Sequence, residues 1–302
     1  MGDRLQGRVA LVTGAGNGIG RAIALHMASE GASVVVNDLG TSVSGVGQSA
    51  AAADAVVAEI GDAGGKAVAS HDSVAEGEGC RRAVAKAVET YGACDIVVAN
   101  AGAVVRAADP AVRDDDDSWR RLLDLYLGQK FWLTREALPG MLERGWGRMI
   151  FATSEIARGR QRSPSGAAVF SGAVGMMRDL AFMHGGSGVT FNAYAPGAAT
   201  RTYHEVAAQI AAGQRVGGMT AEMLAKHRLP GPEFVAPMVS WLCTAAADAV
   251  TGEVFGLSGG RINRWTRLED AASLAKSEAA GPALWSLDEL DTLVPEHLFP
   301  RH

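Results

Sequence analysis

The residues with the clearest chemical meaning lie in Thr13-Gly14-Ala15-Gly16-Asn17-Gly18-Ile19-Gly20. Without Cβ atoms, the backbone here can turn tightly and approach a ligand closely. An apolar run, residues 9–12, precedes the stretch, and a helical pattern, residues 21–28, follows it. Strand, glycine turn and helix N-terminus in that order suit a pyrophosphate, which free N–H groups and the helix dipole both favour. Asp38 ends the next apolar run, near the separation at which an acidic residue takes the adenosine ribose hydroxyls. The stretch reads as a dinucleotide cradle. The alternative is a tight strand-to-helix turn that needs glycine with no ligand.

A cradle of this kind needs a sheet beneath it. Strand-like runs at 9–13, 33–37, 66–69, 95–99, 148–153, 190–195 and 253–257 alternate with helical segments. Nearly continuous apolar strands separated by helices predict an α/β fold, a Rossmann-type doubly wound parallel sheet of seven strands with helices on both faces. The 302 residues allow one large domain at 1–260 and an extension at 261–302. Residues 201–228 break the rhythm at the C-terminal edge of the sheet, where a substrate lid would lie. The extension carries a capping box at Ser286-Leu287-Asp288-Glu289, and its helix must pack on the domain or on a partner subunit.

Composition narrows the function classes. A net charge of −5 gives no basic footprint for nucleic acid. The apolar stretches are strand-sized, so no membrane span is expected. The first residues lack a signal-peptide core, and Cys80, Cys94 and Cys243 are scattered without metal spacing, which predicts a cytoplasmic protein with reduced thiols. The acidic run Asp114-Asp115-Asp116-Asp117 precedes a long helical pattern, 119–143, and reads as a helix cap rather than a metal site. Pro139 late in that pattern marks a kink or an end.

Together these residues resemble the short-chain dehydrogenase/reductase family. The match rests on the glycine turn, Asn100-Ala101-Gly102, Asn192-Ala193-Tyr194-Ala195-Pro196-Gly197, and Thr251-Gly252 through Gly259-Gly260. Val36-Asn37-Asp38-Leu39-Gly40, residues 65–73 and the extension are similar to the (3R)-hydroxyacyl-CoA dehydrogenase branch. The resemblance implies NAD as cofactor, a small-molecule substrate, and a homodimer or homotetramer. It implies that Gly14, Asn17, Gly18, Ile19 and Gly20 hold the pyrophosphate and that Asp38 takes the ribose and disfavours a 2′-phosphate. It sets Asp72 and Ser73 beside the adenine and Asn100 and Gly102 beside the nicotinamide ribose. Pro196, Gly197, Ala199 and Thr200 would position the carboxamide.

The pattern breaks at the chemistry. The family's reaction uses a Ser, a Tyr about a dozen residues on, and a Lys four after the Tyr; Tyr exchanges the proton and Lys lowers its pKa. Ser154 stands in place, but the Tyr position falls on Gly166 or Ala167 and the Lys position on Phe170 or Ser171. No Tyr or Lys occurs from Ser154 to Ala181. The family's helical Asn aligns with Tyr126. Tyr126 and Lys130 have Tyr-x-x-x-Lys spacing and share a helix face, so the phenol is a candidate to fill the volume beside Gly166. The alternative is a packed aromatic and a solvated lysine.

Glu155 is a second candidate acid or base. Arg158, Arg160 and Arg162 are candidates to bind a carboxylate or phosphate on the substrate side, or form a solvated loop. Gly166 and Phe170 line a roomy apolar pocket in this reading, and Tyr203 and His204 reach substrate from the lid. Three functions follow: a redox enzyme with an altered proton relay, a non-redox dehydratase, cyclase or isomerase on the same fold, or a non-catalytic NAD-binding subunit.

Overall fold

The computed structural model describes residues 2–103, 115–159, 163–213, 222, 229–276 and 284–299. The chain divides into two units, Met1–Arg264 and Trp265–His302. Asp114 and most of residues 214–228 in the expected lid lie outside the described residues.

In the first unit, strands and helices alternate. They run β1 (Val9–Thr13), α1 (Gly18–Ser29), β2 (Ser33–Asn37), α2 (Ala51–Asp62), β3 (Lys66–Ser70), α3 (Gly77–Tyr91) and β4 (Ile96–Ala99). The second half follows with α4 (Asp116–Leu123), α5 (Gln129–Glu143), β5 (Gly147–Ala152), α6 (Pro164–Met183), β6 (Val189–Pro196), α7 (Arg201–Ala211), α8 (Ala236–Trp241) and β7 (Val254–Ser258). The sheet order is β3-β2-β1-β4-β5-β6-β7, all parallel, with an eighth strand, β8 (Arg261–Arg264), antiparallel on the β7 edge. The expected seven-stranded sheet is present, extended by β8. That strand has no apolar run and is exposed throughout; a tight turn at Gly259-Gly260 folds it back so that Ser258 pairs with Arg261. The unit boundary therefore falls at Arg264, after the residue 260 expected from sequence.

The central strands are fully buried, because helices cover both faces. Val12, Val34, Val36 and Val98 meet Ile23, Met27 and Val56 in one core. The chain order reverses between β1 and β4, so their C-terminal ends part and leave a crevice for a ligand. The long helical run after Asp115 is broken by a π-turn, Asp124–Gly128, and Pro139 lies inside α5, which continues to Glu143. The Asp115 carboxylate caps α4 by accepting from Ser118 N at 2.7 Å.

In the second unit, α9 (Leu287–Leu293) starts with both hydrogen bonds of the expected capping box. Lys276 Nζ lies 2.8 Å from Glu289 and over the Trp285 ring at 4.8 Å. Leu287, expected to pack, is 79% exposed. Among the described residues, no helix is long and apolar enough to cross a membrane, and no cluster of three metal-ligating side chains occurs.

Candidate functional site

The crevice is a cleft of about 480 Å³, lined by the glycine turn and by residues of the π-turn, among others. Backbone contact requires two of the glycines. A Cβ on Gly20 would lie 2.1 Å from Gly14 O, and one on Gly14, at φ 63°, would lie 2.8 Å from Ala101 Cα. The turn is therefore drawn hard against the end of β4. Asn17 is the extended N-cap of α1, and its side chain makes no capping bond. Gly18 and Ile19 continue the wall, and the Thr200 methyl stands 3.4 Å from a Gly18 Cβ position. Asp38 is held by two amides: Gly16 N donates to Oδ2 at 2.8 Å and Gly40 N to Oδ1 at 2.7 Å. Each oxygen keeps lone pairs for a ribose hydroxyl. Asp72 and Ser73 line the same end, with Asp72 fixed by Arg82 at 2.6 Å and Ser70 at 3.0 Å. A tight backbone, the start of α1 and a carboxylate oriented by two amides fit a dinucleotide.

A buried polar network braces the turn from below. Thr13 Oγ1 donates to Gln129 Oε1 at 3.1 Å and accepts from Asn100 N at 2.9 Å and Ala101 N at 3.0 Å. Asn100 Nδ2 donates to Thr13 O at 2.8 Å, and Tyr194 donates its phenol proton to Asn100 Oδ1 at 2.8 Å. Burial pushes the Tyr194 pKa far up, so it remains a donor. Sequence reasoning placed Asn100 but missed Thr13, Gln129 and Tyr194. The available signal was polar side chains on a strand end, a helix and a strand that are otherwise apolar. On the far side, Pro196 ends β6, Gly197 N donates to Leu257 O and Ala199 N to Pro230 O, both at 2.7 Å. That turn delivers Thr200 to the cleft; Pro196, Gly197 and Ala199 stand behind it.

Tyr126 sits on the π-turn and lines the cleft beside Gly102. In the turn, Gln129 N reaches back five residues to Asp124 O, which widens the helix and re-aims its side chains. The Tyr126 phenol donates to Ala103 O, its ring meets Phe170 edge-on at 4.8 Å, and its hydroxyl is 3.1 Å from a Gly102 Cβ position. Burial pushes the phenol up to about 12, against the Ala103 hydrogen bond. Lys130 is 1% exposed, and its Nζ donates to the Tyr126 backbone carbonyl at 2.8 Å. Burial alone pulls the amine down to about 7. The expected pair is thus brought together, but the amine meets the peptide rather than the phenol.

The other candidates separate. Ser154 caps a 3-10 turn, Glu155–Arg158, by accepting from Ile156 N at 3.2 Å. Glu155, a candidate acid or base on the condition of burial, is partly exposed and pairs with Arg158 at 3.2 Å. Arg160 and Arg162 lie outside the described residues. Gly166 does not open a roomy pocket: a Cβ there would lie 2.6 Å from Ser163 Oγ and 3.2 Å from Ile156 Cγ2, so neighbours already close that space. Tyr203 and His204 face each other edge-on at 5.6 Å on α7 and are not part of the cleft wall. The cleft wall instead includes Arg121 and Arg201, which the sequence reading passed over.

Comparison with known proteins agrees with this geometry. The family model described as short chain dehydrogenase matches residues 8–211. A short-chain type dehydrogenase/reductase of Mycobacterium tuberculosis is 38% identical over 261 residues, covering 86% of this chain and 85% of that protein. Peroxisomal multifunctional enzyme type 2 of Mus musculus is 35% identical over 284 residues, covering 92% of this chain; the chain spans only 36% of that relative's length. Among solved structures, a 7α-hydroxysteroid dehydrogenase complexed with NADH and 7-oxo glycochenodeoxycholic acid is 31% identical, with TM-score 0.73, covering 85% of this chain and 95% of that one. With the sheet order, the glycine turn and these likenesses in agreement, the chain belongs to the short-chain dehydrogenase/reductase family.

Proposed function

We propose that the chain is an NAD-dependent oxidoreductase acting on a hydroxyl or keto group of a hydrophobic small molecule, with Tyr126 replacing the family's missing tyrosine. One observation carries this reading: the Tyr126 phenol stands beside Gly102 in the same cleft that the glycine turn and Asp38 line. A bound dinucleotide supplies the hydride chemistry. The two amides on Asp38 aim its carboxylate at the ribose, where it would repel a 2′-phosphate and favour NAD over NADP.

The chain's own groups then handle the proton. Ser154 Oγ accepts from Ile156 N, so its hydroxyl hydrogen remains available to polarise a substrate oxygen. A phenol held near 12 stays protonated at neutral pH and donates, which suits carbonyl reduction once the substrate oxygen replaces Ala103 O as acceptor. In the oxidative direction the same phenol must first lose its proton, so activity is expected to climb toward alkaline pH. Lys130 holds the widened turn by its carbonyl and so fixes where the phenol points.

Exposed Phe131 on α5 and Phe182 and Met183 on α6 support a homodimer or homotetramer through those helices. Three free, buried cysteines support a reducing, cytoplasmic setting. The test is NADH absorbance with a panel of apolar ketones and alcohols, run on wild type and Tyr126→Phe. Cofactor-linked turnover lost in the variant supports the reading; full activity in Tyr126→Phe sinks the role of the phenol.

A second reading is a non-redox enzyme on this scaffold. It is favoured by the absence of Tyr and Lys from α6 and by a Tyr126 hydroxyl already bonded to Ala103. Product formation without any absorbance change would select it. Tight NADH binding with no turnover would select a non-catalytic subunit.

A further inference from the structure

The cleft is bridged by a loop, residues 39–49, that neither the glycine turn nor the reacting groups require. Its neck is closed: Asp38 Oδ1 accepts from Gly40 N at 2.7 Å, and Ser49 N donates to Leu39 O at 3.0 Å. Its tip is braced from within by Gly45 N on Ser42 O at 2.9 Å and Val46 N on Ser42 Oγ at 3.2 Å. Thr41, Ser42, Val43 and Gly45 line the cleft.

Two arginines reach this loop from separate elements. Arg121, on α4, donates to Ser44 O at 3.2 Å, and Arg201, the first residue of α7, donates to Thr41 O at 3.5 Å. Both also line the cleft. Among the described residues, neither has a carboxylate within 4.0 Å; Asp115 acts on Arg121 only through space. The cleft's own acids are Asp38, tied to two amides, Asp72, paired with Arg82, and Asp124 on the π-turn. Each guanidinium has five N–H donors and shows a single hydrogen bond, to a neutral carbonyl, which leaves donors for a charged acceptor. A charged acceptor makes bonds about twice as strong as a neutral one, and phosphate oxygens match the guanidinium fork.

We propose that Arg121 and Arg201 form an anion site on the loop side of the cleft that takes a phosphate group, with loop 39–49 bridging the two guanidinium groups. The phosphate comes either from the dinucleotide itself or from the tail of a substrate. The inference rests on the cofactor reading only for the first source.

The experiment compares wild type with Arg121→Met, Arg201→Met and the double variant, all exposed positions whose folding is checked by thermal melts. NADH is titrated by fluorescence, and inorganic pyrophosphate is titrated calorimetrically into the NADH-saturated protein. Affinity for NADH falling roughly tenfold or more in the double variant assigns the site to the cofactor's pyrophosphate. Unchanged NADH affinity, with pyrophosphate binding to the saturated wild type and lost in the double variant, assigns it to a substrate tail. Unchanged behaviour of all variants in both titrations overturns the proposal. If wild type binds no NADH, the cofactor reading has failed, and arginine-dependent pyrophosphate binding to the nucleotide-free chain still decides this site.

Discussion

The two halves of the cleft are built on different terms. Around β1, α1 and β2 the contacts are made by backbone: Gly20 against Gly14 O, and Gly16 N and Gly40 N on Asp38. Around α4 and α5 they depend on side chains: the Tyr126 phenol in the wall, and the buried Lys130 amine on the Tyr126 carbonyl behind it. Backbone geometry tolerates no side chain at Gly14, Gly16 or Gly20, because an added Cβ there would lie within 3.0 Å of a neighbouring atom. Side-chain chemistry can move between elements, provided the new group reaches the same space. A family member can therefore keep its cradle while the side chains beside it change.

Breaking the backbone half should have the largest effect. Gly20→Val puts a branched side chain 2.1 Å from Gly14 O and 2.6 Å from Asn100 Nδ2. NADH affinity is expected to fall by more than about a hundredfold, and stability by about 3 kcal/mol, measured by fluorescence titration and urea unfolding. Retained affinity would show that the turn is structural only. In the side-chain half, Tyr126→Phe is expected to lower kcat by roughly two to four powers of ten with NADH affinity almost unchanged, from steady-state kinetics. If affinity falls and kcat does not, the phenol is a wall of the cleft and not a proton donor.

Lys130 sharpens the contrast through pH. Its pKa is lowered to about 7 in the folded chain from an ordinary 10.5. Between those values the unfolded chain binds the extra proton, so folding stability rises with pH, by about 1.4 kcal/mol per unit. Below about pH 7 the amine must be buried as an ammonium, and the stability is lost. Urea unfolding at pH 7.0 and 8.5 should show wild type gaining about 2 kcal/mol relative to Lys130→Met. A constant difference would mean that the amine is solvated. The smallest effect belongs to Glu155→Gln, whose partner Arg158 is half-exposed. Stability should change by less than about 0.5 kcal/mol and the kcat pH profile should not move; a displaced profile would return Glu155 to the chemistry.

Much of the cradle was legible because it obeys local rules. A strand, a turn that needs glycine and a helix start occupy consecutive residues, and Asp38 follows at the end of the next strand. The Asp115 cap and the Ser286–Glu289 box were legible for the same reason. Beyond the cradle, the gap at Gly166 and Phe170 and the Tyr126–Lys130 spacing were legible in sequence. That the helix widens at Asp124–Gly128 and that the Lys130 amine meets the Tyr126 carbonyl were not, because both depend on how α4 and α5 pack on the sheet. The roomy pocket expected at Gly166 is not found there because Ile156, from the preceding 3-10 turn, and Ser163, the N-cap of the same helix, occupy the space.

By itself, the sequence determined the sheet, the order of its elements and the dinucleotide cradle, since periodicity and glycine stereochemistry act over a few residues. Tertiary structure alone decided the eighth strand, the Thr13–Gln129–Asn100–Tyr194 network, the burial that holds Lys130 near 7, and the arrival of Arg121 and Arg201 on one loop. Apart from the hairpin strand β8, each of these depends on residues far apart in the chain. Their energies come from burial and from partners, which exist only once the elements have packed.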